Sequence, residues 1–347
     1  MRQRHVGPVT VTASPRFDHL ARLTDDIGLF EHADGAVPRL EHGYCTDDNA
    51  RLLMVACREP APTALVRSLA ARALRFVAAA QGVDGKIRNR MSVDRRWLDR
   101  PGLDDCWGRS LWGLGTAAAR DTSVAIRQEA LARFEHGADQ RSPSVRAMVF
   151  AGLGAAEVLV VEPTHRGARS LLADSAARLA MPDVGAGWRW PESRLTYANA
   201  ALAELQIAAG VALGRDDNTA QGLARLAWLL DVETLSGSLS VTPVGGRGPG
   251  DVAPAFDQQP IEVAALADAC ARAATVTHDD RWVSGVAAAV AWFDGQNDAR
   301  AVMWDTETGG GFDGLTPHGP NTNQGAESTL AFVATAQHAR HLVSVTS

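Results

Sequence analysis

The stretch EHGYCTDDNARLLMVA, residues 41–56, places several reactive or hydrogen-bonding side chains directly before an apolar helical run. They are His42, Tyr44, Asp47, Asp48 and Asn49. Helix N-termini have unpaired backbone N–H groups, and a single Asp, Asn, Ser or Thr is enough to cap them. Asp47 and Asp48 are adjacent and cannot point the same way on a helix, so one can cap while the other reaches a cavity. The surplus of polar side chains predicts a ligand.

Carboxylic acids also stand at the starts of other apolar helical segments. Glycosidic bond cleavage usually needs two of them, one as proton donor and one as base or nucleophile. Glu262 follows FDQQP and begins a very apolar helix, and Glu327 is flanked by small residues in NQGAESTLAF. An acid in such a run is either a paired core acid or a functional one, because buried Glu is rare without a partner. The catalytic candidates are Asp48 and Glu327 first, then Asp105, Glu262 and Asp47.

Aromatic, amide and basic side chains accompany these acids. The chain has 2 tyrosines, Tyr44 and Tyr197, and both lie at such helix starts. Aromatic rings can stack on pyranose faces, although aromatic clusters are also common in protein cores. Asp313 lies in the glycine-rich GGGFDGL, where turn formation is the simpler explanation. The substrate-binding candidates are His42, Tyr44, Asn49, Trp107, Arg109, Trp190, Glu192, Tyr197, Asn199, Asp257, Gln258, Gln259, Asp313, Asn323 and Gln324.

Helices must position these residues, because strand patterns are few. Alternating stretches are GPVTVTA (7–13) and GSLSVTPV (237–244), whereas the other apolar segments follow helical spacing and are rich in Ala, Leu and Arg. Six helices that open with polar motifs are predicted to begin near Asp47, Asp104, Ser142, Thr196, Asp257 and Asn321. Plainer amphipathic helices are predicted over 63–81, 122–137, 166–181, 217–232 and 280–294.

The two kinds of helix alternate, which indicates a repeat architecture. We predict an all-α fold, an (α/α)6 toroid with short β segments in its loops, in which the motif helices form the inner ring and open at one common end. A twelfth helix would come from 15–26 or from the C-terminal tail. An open α-solenoid is the alternative, but its repeats are usually more uniform in length. Residues 1–347 are predicted to form a single domain, with 1–14 as an N-terminal extension.

Charge and composition exclude several classes of partner. The net charge is −6 and no run of basic residues occurs, so we expect no nucleic-acid partner. No segment approaches ~18 uninterrupted apolar residues, so no membrane span is expected. The four cysteines form no paired motif, and no histidine spacing is typical of a metal site, so neither a metal nor a cofactor is predicted. Without a signal-peptide pattern, the predicted location is cytoplasmic.

Five segments together resemble a bacterial domain that occurs alone or fused behind family-4 glycosyltransferases. They are HLARLTDDIGLFEHADGAVPRLEHGYCTDDNARLL, DRRWLDRPGLDDCWGRSLWGLG, WRWPESRLTYANAAL, FDQQPIEVAALADAC and DGLTPHGPNTNQGAESTLAF. The resemblance covers nearly the whole chain, and it implies an (α/α)6 fold of the carbohydrate-active type and a sugar substrate, without assigning a catalytic pair. The chain departs from the pattern after SVTP, where VGGRGPGDVAPAFDQQP replaces a Gly-His-Phe-type segment. If that loop shapes the site, we expect an altered specificity.

These observations favour a carbohydrate-active enzyme, foremost a glycoside hydrolase or phosphorylase that acts on an oligosaccharide by carboxylate acid/base catalysis in the barrel mouth. A sugar epimerase or isomerase with His42 and His318 as proton carriers is one alternative. A non-catalytic sugar-binding domain associated with glycosyltransferases is the other. The sequence leaves the sugar, the linkage, the stereochemistry and the oligomeric state open.

Overall fold

The computed structural model of the protein describes residues 15–179, 185 and 187–346, and side chains as far as residue 341. The predicted N-terminal extension and the predicted strand at 7–13 lie outside the described residues. Within the described part the chain is mostly helical, as predicted, and its strands are short pairs in the loops.

The helices form two concentric rings. The inner ring consists of α2 (Thr46–Cys57), α4 (Asp105–Arg120), α6 (Val145–Val161), α8 (Asn199–Leu213), α10 (Pro260–Thr277) and α12 (Ala326–Thr346). The outer helices are α1 (Asp18–Arg22), α3 (Ala64–Ala80), α5 (Val124–Ala138), α7 (Arg166–Ala177), α9 (Asp216–Val232) and α11 (Asp280–Phe293). Each inner helix packs against the next, and α12 packs against α2, so the inner ring closes. This closure confirms the (α/α)6 toroid and excludes an open solenoid.

The strands are four antiparallel pairs in the loops. They pair β1 (Ala33–Asp34) with β2 (Val37–Pro38), β3 (Tyr44–Cys45) with β4 (Arg90–Met91), β5 (Thr234–Leu235) with β6 (Ser238–Leu239), and β7 (Gly314–Thr316) with β8 (Gly319–Asn321). The predicted strand over 237–244 is therefore present only as the two residues of β6. The other strands were not predicted from the sequence, because strands of two or three residues are too short to show an alternating pattern.

The twelfth helix comes from the first of the two predicted segments. It is the five-residue α1, whereas the C-terminal tail belongs to α12 itself. Among the described residues, no helix is long and apolar enough to cross a membrane.

Four inner helices begin three to five residues later than predicted, because their polar motifs form the turns that lead into them. Before α8, the backbone N–H of Thr196 donates to Oδ1 of Asn199 at 3.0 Å. Pro260 occupies the first turn of α10, where its fixed φ and missing N–H suit a helix start. Before α12, the backbone N–H of Gly325 donates to Oδ1 of Asp313 at 2.7 Å. Asp313 thus organises a turn, the simpler of its two interpretations.

Small residues let the inner helices approach closely. A Cβ at Gly108 of α4 would lie 2.2 Å from the carbonyl oxygen of Ala147 in α6. A Cβ at Gly115 would lie equally close, 2.2 Å, to the carbonyl oxygen of Gly154. Both distances are far below van der Waals contact, so a side chain at either glycine would push α4 and α6 apart.

Buried ion pairs cross the interior of the ring, away from the helix starts. Arg272 of α10 bridges Glu204 of α8 (Nε to Oε1, 2.9 Å) and Glu157 of α6 (Nη2 to Oε1, 3.0 Å). Arg58, at the end of α2, pairs with Asp268 of α10 at 2.7 Å. Since α10 is a ring neighbour of neither α6 nor α2, these pairs span the axis. They close the ring below its mouth.

Candidate functional site

A cavity of about 300 Å³ opens at the end of the ring where the inner helices start. Five of the six inner helices contribute to it, through their first turns or the segments that precede them. The starts of these five helices therefore meet at one end of the ring, as predicted for the motif helices. The lining residues are Asp47, Arg51, Asp105, Arg109, Thr196, Tyr197, Ala198, Thr242, Pro243, Val244, Gln259, Ile261, Glu262 and Glu327.

Four of the five catalytic candidates line this cavity: Asp47, Asp105, Glu262 and Glu327. They come from four different helices, α2, α4, α10 and α12. The fifth, Asp48, is not among the lining residues. Its neighbour Asp47 takes the cavity side, because successive residues on a helix point about 100° apart.

Asp48 is buried behind the lining and held by Arg51, which the sequence reasoning missed. Arg51 Nη1 lies 2.5 Å from Asp48 Oδ1, and its Nη2 lies 2.7 Å from Glu327 Oε2. Burial raises the pKa of Asp48 to about 7, although the Arg51 guanidinium acts in the opposite direction. Arg51 therefore joins α2 to α12 at the cavity wall. Its signal in the sequence was its position one helical turn after Asp47 and Asp48.

Glu262 is an acid of the cavity wall that also holds the start of α8. Its Oε1 accepts the backbone N–H of Ala198 at 2.5 Å, and its Oε2 accepts the backbone N–H of Asn199 at 3.3 Å and the side-chain amide of Asn199 at 3.2 Å. Burial is the largest influence and raises the pKa of Glu262 to about 7, with a further contribution from Glu233. Ala198 has φ 47° and ψ 40°, a left-handed conformation that costs a non-glycine residue about 1–2 kcal/mol.

Tyr197 connects the segment before α8 to α4. Its hydroxyl donates to Oδ2 of Asp105 at 2.7 Å, and its side chain is about half exposed at the cavity. Burial and this hydrogen bond raise the pKa of Tyr197 well above its usual value. Arg146 of α6, a second residue that the sequence reasoning missed, lies 5.4 Å from the centre of the Tyr197 ring and donates to the Tyr197 carbonyl at 2.8 Å. It also forms a bidentate pair with Glu192 at 3.0 and 2.9 Å, so Glu192 anchors the segment from outside the lining.

Several aromatic and amide candidates lie in the core instead of the cavity. Trp107 and Trp190 are fully buried, and Trp190 stacks on Trp228 with ring centres 5.9 Å apart. Tyr44 donates its hydroxyl to Asp25 at 2.6 Å. Asn49 donates to the carbonyl oxygens of Leu29 and Cys45 and accepts the Leu29 N–H. These side chains already have their packing or hydrogen-bond partners within the fold.

The remaining candidates outside the lining hold loops or lie on the surface. Gln258 accepts from Trp292 Nε1 at 3.2 Å. Gln324 donates to Asp305 at 3.0 Å, and Asn323 accepts the Gly35 N–H at 3.0 Å. Asn199 caps the turn before α8, and Asp257 is exposed. Of the predicted substrate-binding residues, the cavity brings together Arg109, Tyr197 and Gln259.

The loop that departs from the expected pattern reaches the site. Val244, the first residue of that loop, lies in the lining, together with Thr242 and Pro243 of the preceding SVTP.

One cluster offers metal-ligand atoms near the cavity. Atoms of Glu31, Cys45 and Asp48 lie within 4.8 Å of one another. Glu31 is already paired with Arg90 and Asp48 with Arg51, so both carboxylates have a compensating cation without a metal.

No family model matches this chain, and no curated protein matches it. Several solved structures share its fold. A sugar epimerase from a ruminal bacterium aligns with a TM-score of 0.69 at 12% identity, over 92% of this chain and 95% of that chain. Cellobiose 2-epimerase from Spirochaeta thermophila DSM 6192 aligns with a TM-score of 0.67 at 14% identity, over 94% of each chain. A GH76 alpha-mannanase from Bacteroides thetaiotaomicron aligns with a TM-score of 0.59 at 9% identity, over 87% of this chain and 88% of that chain. At these identities the similarity shows the (α/α)6 toroid fold.

Proposed function

We propose that the protein is a carbohydrate-active enzyme that cleaves glycosidic bonds with carboxylic groups in the toroid mouth. The observation that carries this proposal is the convergence of Asp47, Asp105, Glu262 and Glu327 on one cavity. Within the described part of the chain, no histidine belongs to that lining. Protons in this site would therefore pass through carboxylic groups, as in most glycoside hydrolases.

Two of these acids suit the two roles that the reaction requires. In the closed ring, α10 lies opposite α4, so Glu262 and Asp105 face the cavity from opposite sides. Glu262, with its pKa near 7, is suited to protonate the leaving oxygen. Asp105, which accepts a hydrogen bond from the Tyr197 hydroxyl, serves as the base or nucleophile on the other side of the cavity. The dipeptide Tyr197–Ala198 touches both acids and sets their relative position.

The rest of the cavity suits a sugar. Tyr197, a residue that is 45% exposed, offers an aromatic ring, and Gln259 and Thr196 offer amide and hydroxyl groups to sugar hydroxyls. Three structures with the same fold carry names that refer to sugars or to a mannan-degrading activity. The cavity is open at one end and closed at the other by the buried ion pairs. Such a pocket suits the end of an oligosaccharide better than its middle.

The test is a screen of oligosaccharides for new reducing ends, with and without inorganic phosphate. We expect the wild type to cleave at least one glycan. Glu262→Gln and Asp105→Asn should each lower kcat by about 10²–10⁴-fold, the usual contribution of a general acid or base. Glu307→Gln changes an exposed acid outside the cavity and is the matched control. A wild type that cleaves none of the glycans contradicts the proposal.

A sugar epimerase is the second candidate, because two of the structures with the same fold are named as epimerases. Its predicted proton carriers, His42 and His318, are both exposed and outside the cavity lining. Epimerisation would take solvent deuterium into the sugar, whereas hydrolysis leaves its carbon-bound hydrogens in place. Deuterium uptake that disappears in His42→Asn or His318→Asn would favour this second function.

A non-catalytic sugar-binding domain makes a different prediction for the same variants. Sugar binding would survive Asp48→Asn and Glu327→Gln, and neither variant nor wild type would turn over any glycan. The association with glycosyltransferases and the cytoplasmic location stay predictions.

A further inference from the structure

Arg109 and Asp47 form a pair in the cavity lining whose hydrogen-bonding capacity is only partly met, since Asp47 Oδ2 accepts from the Asn89 amide at 2.9 Å. Arg109 is only 8% exposed, and its guanidinium lies 3.9 Å from the centre of the Phe150 ring. It donates no hydrogen bond to any residue that the structure describes. Its Nε lies 3.8 Å from Asp47 Oδ1, which is too far for a hydrogen bond. Asp47 Oδ1 is itself buried without a partner.

The open geometry of this pair suits a hydroxyl group. Leaving a buried polar group unpaired costs about 1–3 kcal/mol, and more when the group is charged, so both members gain from a third partner. An oxygen beside the pair can lie about 2.8 Å from both atoms. A hydroxyl can accept from the Arg109 guanidinium and donate to Asp47 at the same time, whereas an ionised carboxylate has no proton to donate.

The charges around the cavity disfavour an anion. Its lining contains four acids and two arginines. The two terminal nitrogens of Arg51 already contact Asp48 and Glu327, and its Nε is buried without a hydrogen-bond partner. Of the two arginines in the described lining, only Arg109 has terminal nitrogens without a carboxylate partner, and Asp47 lies beside it. A phosphate would therefore meet more negative than positive charge at close range.

We propose that the Arg109–Asp47 pair binds a hydroxyl of a neutral sugar and that the cavity rejects anions, so that water and not phosphate attacks the glycosidic bond. The second half rests on the proposed function, whereas the first half does not. In the hydrolytic step the bond between the anomeric carbon and the leaving oxygen breaks, and the water oxygen bonds to that carbon. Asp105 takes the proton of the water, and the leaving oxygen takes the proton of Glu262.

Isothermal titration calorimetry tests the binding half. Wild type is titrated with a panel of neutral mono- and disaccharides, with uronic acids of the same ring stereochemistry, and with inorganic phosphate. We expect at least one neutral sugar to bind at least tenfold more tightly than its uronic acid and than phosphate. Arg109→Gln and Asp47→Asn should each weaken that binding about 10–100-fold, since each removes a hydrogen bond that involves a charge. Arg133→Gln changes an exposed arginine and should bind like wild type.

Three results would overturn the binding half: tighter binding of phosphate or a uronic acid, no binding of any neutral sugar, or wild-type affinity in both Arg109→Gln and Asp47→Asn. Thermal melting of each variant shows whether it is folded before it is titrated. The product formed in phosphate buffer tests the other half. Release of a sugar phosphate would overturn attack by water and leave glycosidic cleavage standing. Arg109-dependent sugar binding without any cleavage would support the binding half and contradict the proposed function.

Discussion

Replacing Arg272 by methionine should destabilise the toroid strongly, because Arg272 holds two buried acids together. Its partners Glu204 and Glu157 have side chains only 2% and 3% exposed. Glu157 keeps a second cation in Arg272→Met, since Arg120 lies 2.7 Å away. Glu204 loses the arginine that it contacts, and its other oxygen, Oε2, already has no hydrogen-bond partner.

Removing one partner of a buried ion pair costs about 3–5 kcal/mol, because the other charge stays buried. An unfolding entropy of about 2.1 cal/mol/K per residue gives ~0.7 kcal/mol/K for this chain of 347 residues. The melting temperature of Arg272→Met should therefore fall by about 4–7 °C. Methionine keeps much of the side-chain volume, so the loss reports on charge more than on packing.

The pH dependence of this loss of stability in Arg272→Met gives a second check on the role of Arg272. Burial raises the pKa of Glu204 to about 7, above its usual value, so its contribution to stability is present below pH ~4.5 and is lost as the pH rises through 7. Without Arg272 the protonated form is favoured further. The deficit of Arg272→Met should thus be smaller at pH 5 than at pH 8.

Differential scanning calorimetry or urea unfolding at both pH values measures these effects. Arg133→Met breaks an exposed pair with Glu129 and should cost less than about 1 kcal/mol. Adding Glu204→Gln to Arg272→Met should recover part of the loss. If Arg272→Met is no less stable than the Arg133→Met control, or if its deficit is equal at pH 5 and pH 8, the account of the closed end of the ring is refuted.

Further predictions concern the mouth. Tyr197→Phe should lower kcat/KM about tenfold by freeing Asp105 from a hydrogen bond of about 1.5–3 kcal/mol, and an unchanged steady-state rate would contradict this role. Activity should fall as the pH rises through about 7, because Glu262 acts when protonated, and a pH–rate profile of wild type that is flat from pH 6 to 8 would argue against it. The same raised pKa means that Glu262 stabilises the fold below pH ~4.5 and loses this contribution as the pH passes 7, which urea unfolding against pH can measure. Trp107→Ala should lower the unfolding free energy by about 3–5 kcal/mol while the folded protein keeps its sugar affinity, because Trp107 lies in the core. Weaker sugar binding by this variant would instead indicate that Trp107 contacts the sugar.

Helical periodicity explains why the toroid was predictable and why half of its site was not. The alternation of motif helices with plain helices was enough to predict the two rings of the toroid. Residues one turn apart share a face, so Asp105 and Arg109 both reach the cavity. Trp107, two residues after Asp105, turns about 200° away and enters the core. When the start of a helix is predicted only to within a few residues, the sequence does not determine which of several neighbouring polar side chains faces the cavity.

The choice between Asp47 and Asp48 illustrates this limit. The sequence predicts that they point apart and favours Asp48 as the catalytic acid, whereas the structure places Asp47 in the lining and buries Asp48 against Arg51. The pairing of Arg51 with Glu327 depends on the closure of α12 onto α2, across most of the chain. Contacts of this kind leave no local pattern in a single sequence.

Cleavage of two kinds of glycoside by Glu262→Gln tests the central claim most directly. A natural linkage needs a proton on its leaving oxygen, whereas a 2,4-dinitrophenyl glycoside of the same sugar leaves without one. The account predicts that Glu262→Gln loses about 10²–10⁴-fold in rate on the natural linkage and retains most of the wild-type rate on the dinitrophenyl glycoside. Equal losses on both, or wild-type cleavage of the natural linkage, would contradict Glu262 as the proton donor of a glycoside-cleaving site.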